Sequence, residues 1–400
     1  MSRGQQGALA RIDDDVLRHD APPASGAWRD GDPPGRRCFT AVGALPLEAG
    51  GRLPDVRVAY ETWGTLAPAG DNAVLVLHAL TGDSHVVGEV EPGHLTPGWW
   101  NGLIGPGLTL DTDRWFVVAP NVLGGCQGTT GPASTAPDGR SWGSRFPFLT
   151  VRDQVAAEIA LADRLGIERW ALVVGGSMGG MRALEWAVTA PERVDRLFLL
   201  ATTAHATGDQ IGWCAPQLAA IRADPGFRGG DYHDAAPGHG PHLGLGVARR
   251  IAHATYRSGA ELNLRFGRRP QHGEHPLNGA GRYAVESYLD HHADKLVRRF
   301  DAGSYVVLTE AMNSHDVGRG RGGTAAALRR VTARTAVVSV DSDRLYPVDL
   351  GREIADGVPD AAPLTVISSP YGHDAFLIET AEVAAVLADL LDRSDAPARG

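Results

Sequence analysis

The run Trp170-Ala171-Leu172-Val173-Val174-Gly175-Gly176-Ser177-Met178-Gly179-Gly180 decides how the rest of the chain is read. Trp170–Gly175 is short, apolar and bounded by glycine, the pattern of a strand buried on both faces. Met178–Ala190 follows with helix-forming residues and is stopped by Pro191. Ser177 therefore falls in a Gly-x-Ser-x-Gly turn between a strand and a helix. Such a turn is too tight for much beyond glycine beside the serine, and it lifts the hydroxyl above the sheet edge. The helix start points amide N–H groups at charge developing there. That context predicts a nucleophilic serine.

Outward from this unit the chain alternates. Val56–Thr62, Ala73–His78, Trp115–Ala119 and Arg196–Ala201 read as strands. Thr150 caps a helix predicted from Val151 to Leu165, with Val155, Ile159 and Ala162 on one stripe. From about residue 204 to 325 the rhythm gives way to helical segments at Asp209–Ala223, Leu245–Tyr256 and Ala284–Phe300. It then resumes with strands Thr335–Val340 and Leu364–Ser368 and a last amphipathic helix. These patterns predict one α/β domain, a mostly parallel sheet flanked by helices, over 38–203 and 326–400, with a helical insertion at 204–325. Residues 1–37 are polar, without periodicity, and read as a loosely ordered tail.

Composition narrows the function. The 400 residues are 43% hydrophobic and 21% charged, enough for a large core without disulfide or metal staples. A net charge of −9 speaks against nucleic acid or an anionic membrane surface as the main partner. No apolar run approaches the roughly 18 residues of a membrane span. The first residues, rich in acid, lack a signal-peptide core, so a cytoplasmic location is expected. Cys38, Cys126 and Cys214 form no CxxC pair, and no histidine lies in a firm metal pattern, so no metal is expected. Lys295 is the only lysine. It lies in the charged stretch 291–299, read as a solvated face, and a phosphate loop of the GxxxxGK[ST] kind is absent.

A nucleophilic serine needs a base, and the base an orienting acid. The α/β-hydrolase fold supplies them in the order Ser, Asp or Glu, His. His373 follows the last predicted strand, where that base belongs. Asp343 and Asp341 both follow the strand Thr335–Val340, and spacing does not separate them. The amide of Met178 is the first expected oxyanion donor, and Leu80, in the loop after Ala73–His78, the second. The glycine-rich loop Gly124–Gly143 reads as a wall of the site.

Several longer motifs carry a resemblance: HALTGDSHV at 78–86, GWW at 98–100, IGPG at 104–107, NVLGGCQGTTGPAS at 121–134, RFDAGSYVVLTEAM at 299–312, HDVGRGRG at 315–322 and GHDAFLIE at 372–379. In this order they resemble the homoserine O-acetyltransferases over most of 38–392. The resemblance implies an α/β-hydrolase core under a helical lid, and acetyl transfer from acetyl-CoA to L-homoserine in methionine biosynthesis, without a cofactor. It implies Ser177, Asp343 and His373 as the triad, preferring Asp343 over Asp341. It also implies Arg249 and Asp374 as the substrate-binding pair, and a homodimer through the lid. Arg249 suits the acceptor's carboxylate and Asp374 its ammonium. The alternatives are a succinyl donor, a serine acceptor, or an esterase that admits water.

Overall fold

A computed structural model describes residues 21–279 and 281–392. The strands are β1 (Cys38–Pro46), β2 (Arg52–Trp63), β3 (Ala73–Leu77), β4 (Phe116–Pro120), β5 (Leu172–Gly176), β6 (Arg196–Leu200), β7 (Arg334–Val340) and β8 (Thr365–Ile367). They form one sheet in the order β1-β2-β4-β3-β5-β6-β7-β8. β1 and β2 pair antiparallel, as do β2 and β4, and every pair from β4 to β8 is parallel. The chain has the α/β-hydrolase architecture expected from the elbow.

Between β4 and β6 the core helices are α1 (Val151–Arg164) and α2 (Met178–Thr189). Thr150 caps α1 reciprocally: its hydroxyl accepts from the Asp153 amide while the Asp153 carboxylate accepts from the Thr150 amide. Between β6 and β7 come α3 (Gly208–Ala223), α4 (His242–Tyr256), α5 (Gly259–Arg265), α6 (Ala284–Val297), α7 (Ala302–Asn313) and α8 (Thr324–Leu328). α9 (Val348–Gly357), α10 (Ala375–Ile378) and α11 (Thr380–Asp392) complete the chain. No helix among the described residues is long and apolar enough to cross a membrane.

Alternation along the strands builds a core on each face. In β3, Leu75 and Leu77 pack with Leu161 of α1 and Leu184 of α2. Val74 and Val76 face the other way, toward Phe198, Leu387 and Trp100. The helices from α3 to α7 rise from neighbouring strands. Their stem is closed where Ala206 N donates to His315 O (2.9 Å) and Val317 N to Ala204 O (3.0 Å).

Two expectations need correction. Within the tail read over 1–37, residues 1–20 lie outside the described residues, but 21–37 are anchored. Gly26 N donates to Phe300 O, Trp28 N to Cys126 O, and the Ser25 hydroxyl to the buried Asp301 carboxylate. The polar composition of the segment hid partners far away in sequence. Lys295 is half-buried at the end of α6 rather than on a solvated face.

Candidate active site

Ser177 takes φ 55° and ψ −124° between β5 and α2, backbone space that suits glycine. Its amide donates to Leu200 O (2.9 Å) and its carbonyl accepts from the Thr202 hydroxyl (2.8 Å), which hold the turn. Gly179 is required by close approach: a Cβ there would lie 2.0 Å from Leu77 O. The elbow is built on the exit of β3 as much as on its own residues.

His373 Nε2 lies 2.9 Å from Ser177 Oγ, and its Nδ1 lies 2.7 Å from Asp343 Oδ2. All three side chains are buried. The other Asp343 oxygen accepts from the Leu345 and Tyr346 amides (2.8 and 2.9 Å), which fix the orientation of the carboxylate. Asp341 turns away: it accepts from the Ser368 hydroxyl and the Ser369 amide. The geometry thus joins Asp343, not Asp341, to His373. The Tyr346 ring stacks on the imidazole at 4.8 Å, with Phe376 edge-on at 5.6 Å, so aromatic rings pack two sides of His373.

Ser177 and His373 open into a cavity of about 220 Å³ lined also by Leu80, Arg249, His253, Tyr256 and Asp374. The Leu80 loop is held from beneath. Arg182, fully buried and paired with Glu158 at 2.6 Å, donates to His78 O; His78 Nε2 accepts from the Val122 amide. Burial and the Arg182 charge push the His78 imidazole well below its ordinary pKa, so it stays neutral and can accept that bond. Met178, at the start of α2, is buried in one cluster with Leu80.

Arg249 of α4 lies over the Tyr256 ring at 5.5 Å and reaches the Thr81 hydroxyl at 3.4 Å; its buried Nε has no hydrogen-bond partner among the described residues. Asp374 is the opposing charge. Burial raises its pKa despite Arg257, 3.5 Å away, so a second cation at the carboxylate would be welcome. Sequence reasoning did not single out Arg257. It also pairs with Glu261 one turn along (2.9 Å), and only its meeting with Asp374 in space gives it a place here. His253 was likewise missed. Burial and the Arg249 charge hold it neutral, and its Nε2 meets the Tyr288 hydroxyl at 2.7 Å.

The loop 124–143 is not among the residues lining this cavity. It braces β2 instead, with Thr130 N donating to Arg57 O and the Thr129 hydroxyl accepting from the Ala59 amide. Its glycines serve a close turn back onto the sheet: a Cβ on Gly131 would fall 2.2 Å from Gly125 O. His233 is buried against Asp301 at 3.1 Å. Among the described residues, Glu61, His85 and His94 come close enough to suggest a metal centre. The two imidazoles, however, stack face to face at 3.8 Å and 13°, so their in-plane lone pairs run side by side rather than converging. Glu61 already accepts from the Ser84 hydroxyl (3.0 Å) and contacts His85 Nδ1 (3.1 Å), and the cluster is a hydrogen-bonded brace.

Comparison with known proteins adds the following. Residues 72–380 match the family model described as the alpha/beta hydrolase fold. The chain is 66% identical to a homoserine O-acetyltransferase of Thermobifida fusca over 92% of its own length and 97% of that protein. The solved homoserine O-acetyltransferase of Bacillus anthracis superposes with a TM-score of 0.82 at 26% identity, covering 90% of this chain and 98% of that one. Esterase E22 superposes almost as well, with a TM-score of 0.81 at 25% identity, covering 89% and 99%.

Proposed function

The chain belongs to the homoserine O-acetyltransferase family of α/β-hydrolase-fold acyltransferases, and from that we propose that Ser177, His373 and Asp343 transfer the acetyl group through an acyl-serine. The observation that carries this reading is the unbroken relay from Asp343 through His373 to Ser177, at the mouth of a cavity that also holds Arg249 and Asp374.

His373 takes the Ser177 proton as Oγ attacks the thioester carbonyl of acetyl-CoA. The Leu80 and Met178 amides receive the oxyanion, and Asp343 stabilises the imidazolium. Coenzyme A leaves as the thiol, taking the proton from His373. The homoserine hydroxyl then gives its proton to His373 and attacks acetyl-Ser177, and collapse returns the proton to the serine. Arg249 holds the acceptor's carboxylate and Asp374 its ammonium, which sets the hydroxyl beside His373. In this reading the chain works in the cytoplasm as a homodimer through the lid, whose Leu243 and Leu264 stand 68% and 87% exposed.

The likeness to an esterase favours one second reading, hydrolysis with water as acceptor. One experiment separates the two: thiol release from acetyl-CoA, followed with and without homoserine, with mass spectrometry of the product. Acetyl transfer predicts a burst and an acetyl adduct on Ser177 without homoserine, and steady turnover to O-acetylhomoserine with it. Steady thiol release without any acceptor would replace transfer by hydrolysis.

A further inference from the structure

α4 presents Arg249, His253 and Tyr256 to the Ser177 cavity. Their spacing of four and then three residues puts them on one helix face. His253 is buried and closely held: the His292 ring stacks on it at 3.8 Å, and the Tyr256 ring meets it edge-on at 6.1 Å. Two polar atoms of this face are left over. His253 Nδ1 and Arg249 Nε are both buried with no hydrogen-bond partner among the described residues. A buried polar atom left unpaired costs free energy, and an apolar side chain would fill the place of His253 without that cost.

The state of the ring decides what it offers. Burial and the charge of Arg249, with His292, Arg257 and Arg265 also near, keep the imidazole neutral, so it has one N–H and one lone pair. Among the described residues the Tyr288 hydroxyl has no hydrogen-bond partner but His253 Nε2, at 2.7 Å. It therefore donates to Nε2, and the ring proton sits on Nδ1. Tyr288 lines a separate groove with Arg265 and His291, not the Ser177 cavity. The Nε2 edge is turned toward that groove, and the Nδ1 N–H is what the ring has left for the cavity. Two unpaired donors a helical turn apart call for one acceptor with two oxygens.

We propose that His253 is a further acceptor-binding residue, its Nδ1 N–H donating to the carboxylate that Arg249 also holds, and that Tyr288 is a positioning residue that sets the tautomer. This rests on the reading of an amino-acid acceptor at Arg249 and Asp374. A carboxylate held from two directions is fixed in its plane, and with it the line along which the acceptor's hydroxyl approaches His373.

The test starts from acetyl-Ser177, formed with acetyl-CoA and freed of donor. It measures transfer to L-homoserine and to 3-aminopropanol, which is homoserine without its carboxylate. The parent should prefer homoserine. His253→Phe, which keeps a ring but no N–H, should cut that preference about tenfold or more, the worth of a hydrogen bond to a charged group. His253→Asn returns an N–H near the place of Nδ1 and should recover most of the preference, while Tyr288→Phe should lose part of it. If transfer to both acceptors falls together in His253→Phe and the preference stays put, the histidine is structural and the proposal is overturned. An Asn variant no better than the Phe one overturns it as well, and an unchanged preference in Tyr288→Phe strikes out the tyrosine's part. Equal use of both acceptors by the parent overturns it and takes Arg249 out of the acceptor site, yet leaves the acyl-serine standing. Loss of the acetyl group to water at one rate, whichever acceptor is present, fells the acceptor reading itself.

Discussion

Ser177 carries a backbone conformation that costs a non-glycine residue about 1–3 kcal/mol, held by its neighbours on β6 and in the turn beyond it. Removing the hydroxyl in two ways exposes that cost. Ser177→Ala and Ser177→Gly should both abolish the acetyl adduct, but the glycine variant should be the more stable by about 1 kcal/mol, the reverse of the usual order. Urea unfolding of the two variants checks it, and an alanine variant as stable as the glycine one would mean the turn is unstrained. The two aspartates give a second prediction. Asp343→Asn should lower turnover by roughly 10³–10⁴, because His373 loses its orienting partner, whereas Asp341→Asn should be mild. Steady-state rates that came out the other way round would break the assignment. Both carboxylates end one strand two residues apart, so spacing left them level. What distinguishes them is three-dimensional: amides of Leu345 and Tyr346 aim Asp343 at the imidazole, while two serines after β8 claim Asp341.

Among the elements, β3, β5 and β6 were legible because each is short, apolar but for Arg196 at the start of β6, and closed by glycine, proline or polar residues. β1 was not. It is an edge strand exposed along much of its length, and Gly43 (φ 86°) breaks its register with β2. Of the insertion's helices α3, α4 and α6 were legible in the sequence and α5 and α7 were not, and the meeting of Arg257 on one segment with Asp374 on another leaves no trace in local pattern. The contact between α2 and β3 supplies a test of the elbow as a unit. Gly179→Ala puts a methyl group 2.0 Å from Leu77 O and 3.0 Å from His78 O, so the Leu80 loop has to move. Stability should fall by about 1–3 kcal/mol and the burst of thiol release should slow with it. A variant with normal stability and burst would show that the elbow tolerates looser packing. The pairing of α4 with the 372–374 turn supplies another. Arg249→Ala and Asp374→Asn should still acetylate Ser177 at the parent rate but pass the group to homoserine roughly 10- to 150-fold more slowly. Single-turnover measurement of each half-reaction decides, and a defect confined to the first half would remove both residues from the acceptor site.

Across the molecule, one buried carboxylate ties three parts of the chain together. Asp301 accepts from the Ser25 and Tyr232 hydroxyls, caps α7 through the Ser304 amide and pairs with His233. Burial works against its charge, but the His233 interaction and these hydrogen bonds outweigh it and hold its pKa well below the usual carboxylate range. A depressed folded pKa contributes stability above the unfolded value of about 3.9, and that contribution drains away as pH falls below about 5. Asp301→Ala should therefore be less stable at pH 7 by about 3 kcal/mol or more, and should lose less on going from pH 5 to pH 3 than the parent does. Urea midpoints at the three pH values test both halves, and parallel curves for parent and variant would relieve Asp301 of this duty. The closed stem of the insertion has a different consequence. Because residues 206–315 leave and return through an isolated antiparallel bridge between His205 and Asp316, after β6 and before β7, they form a cassette on a clasp, exchangeable without re-threading a single strand. In the proposed reading the frame carries Ser177, Asp343, His373 and Asp374 and the cassette carries Arg249, so exchanging the cassette would alter the contact to the acceptor's carboxylate while leaving the Ser177 relay in place.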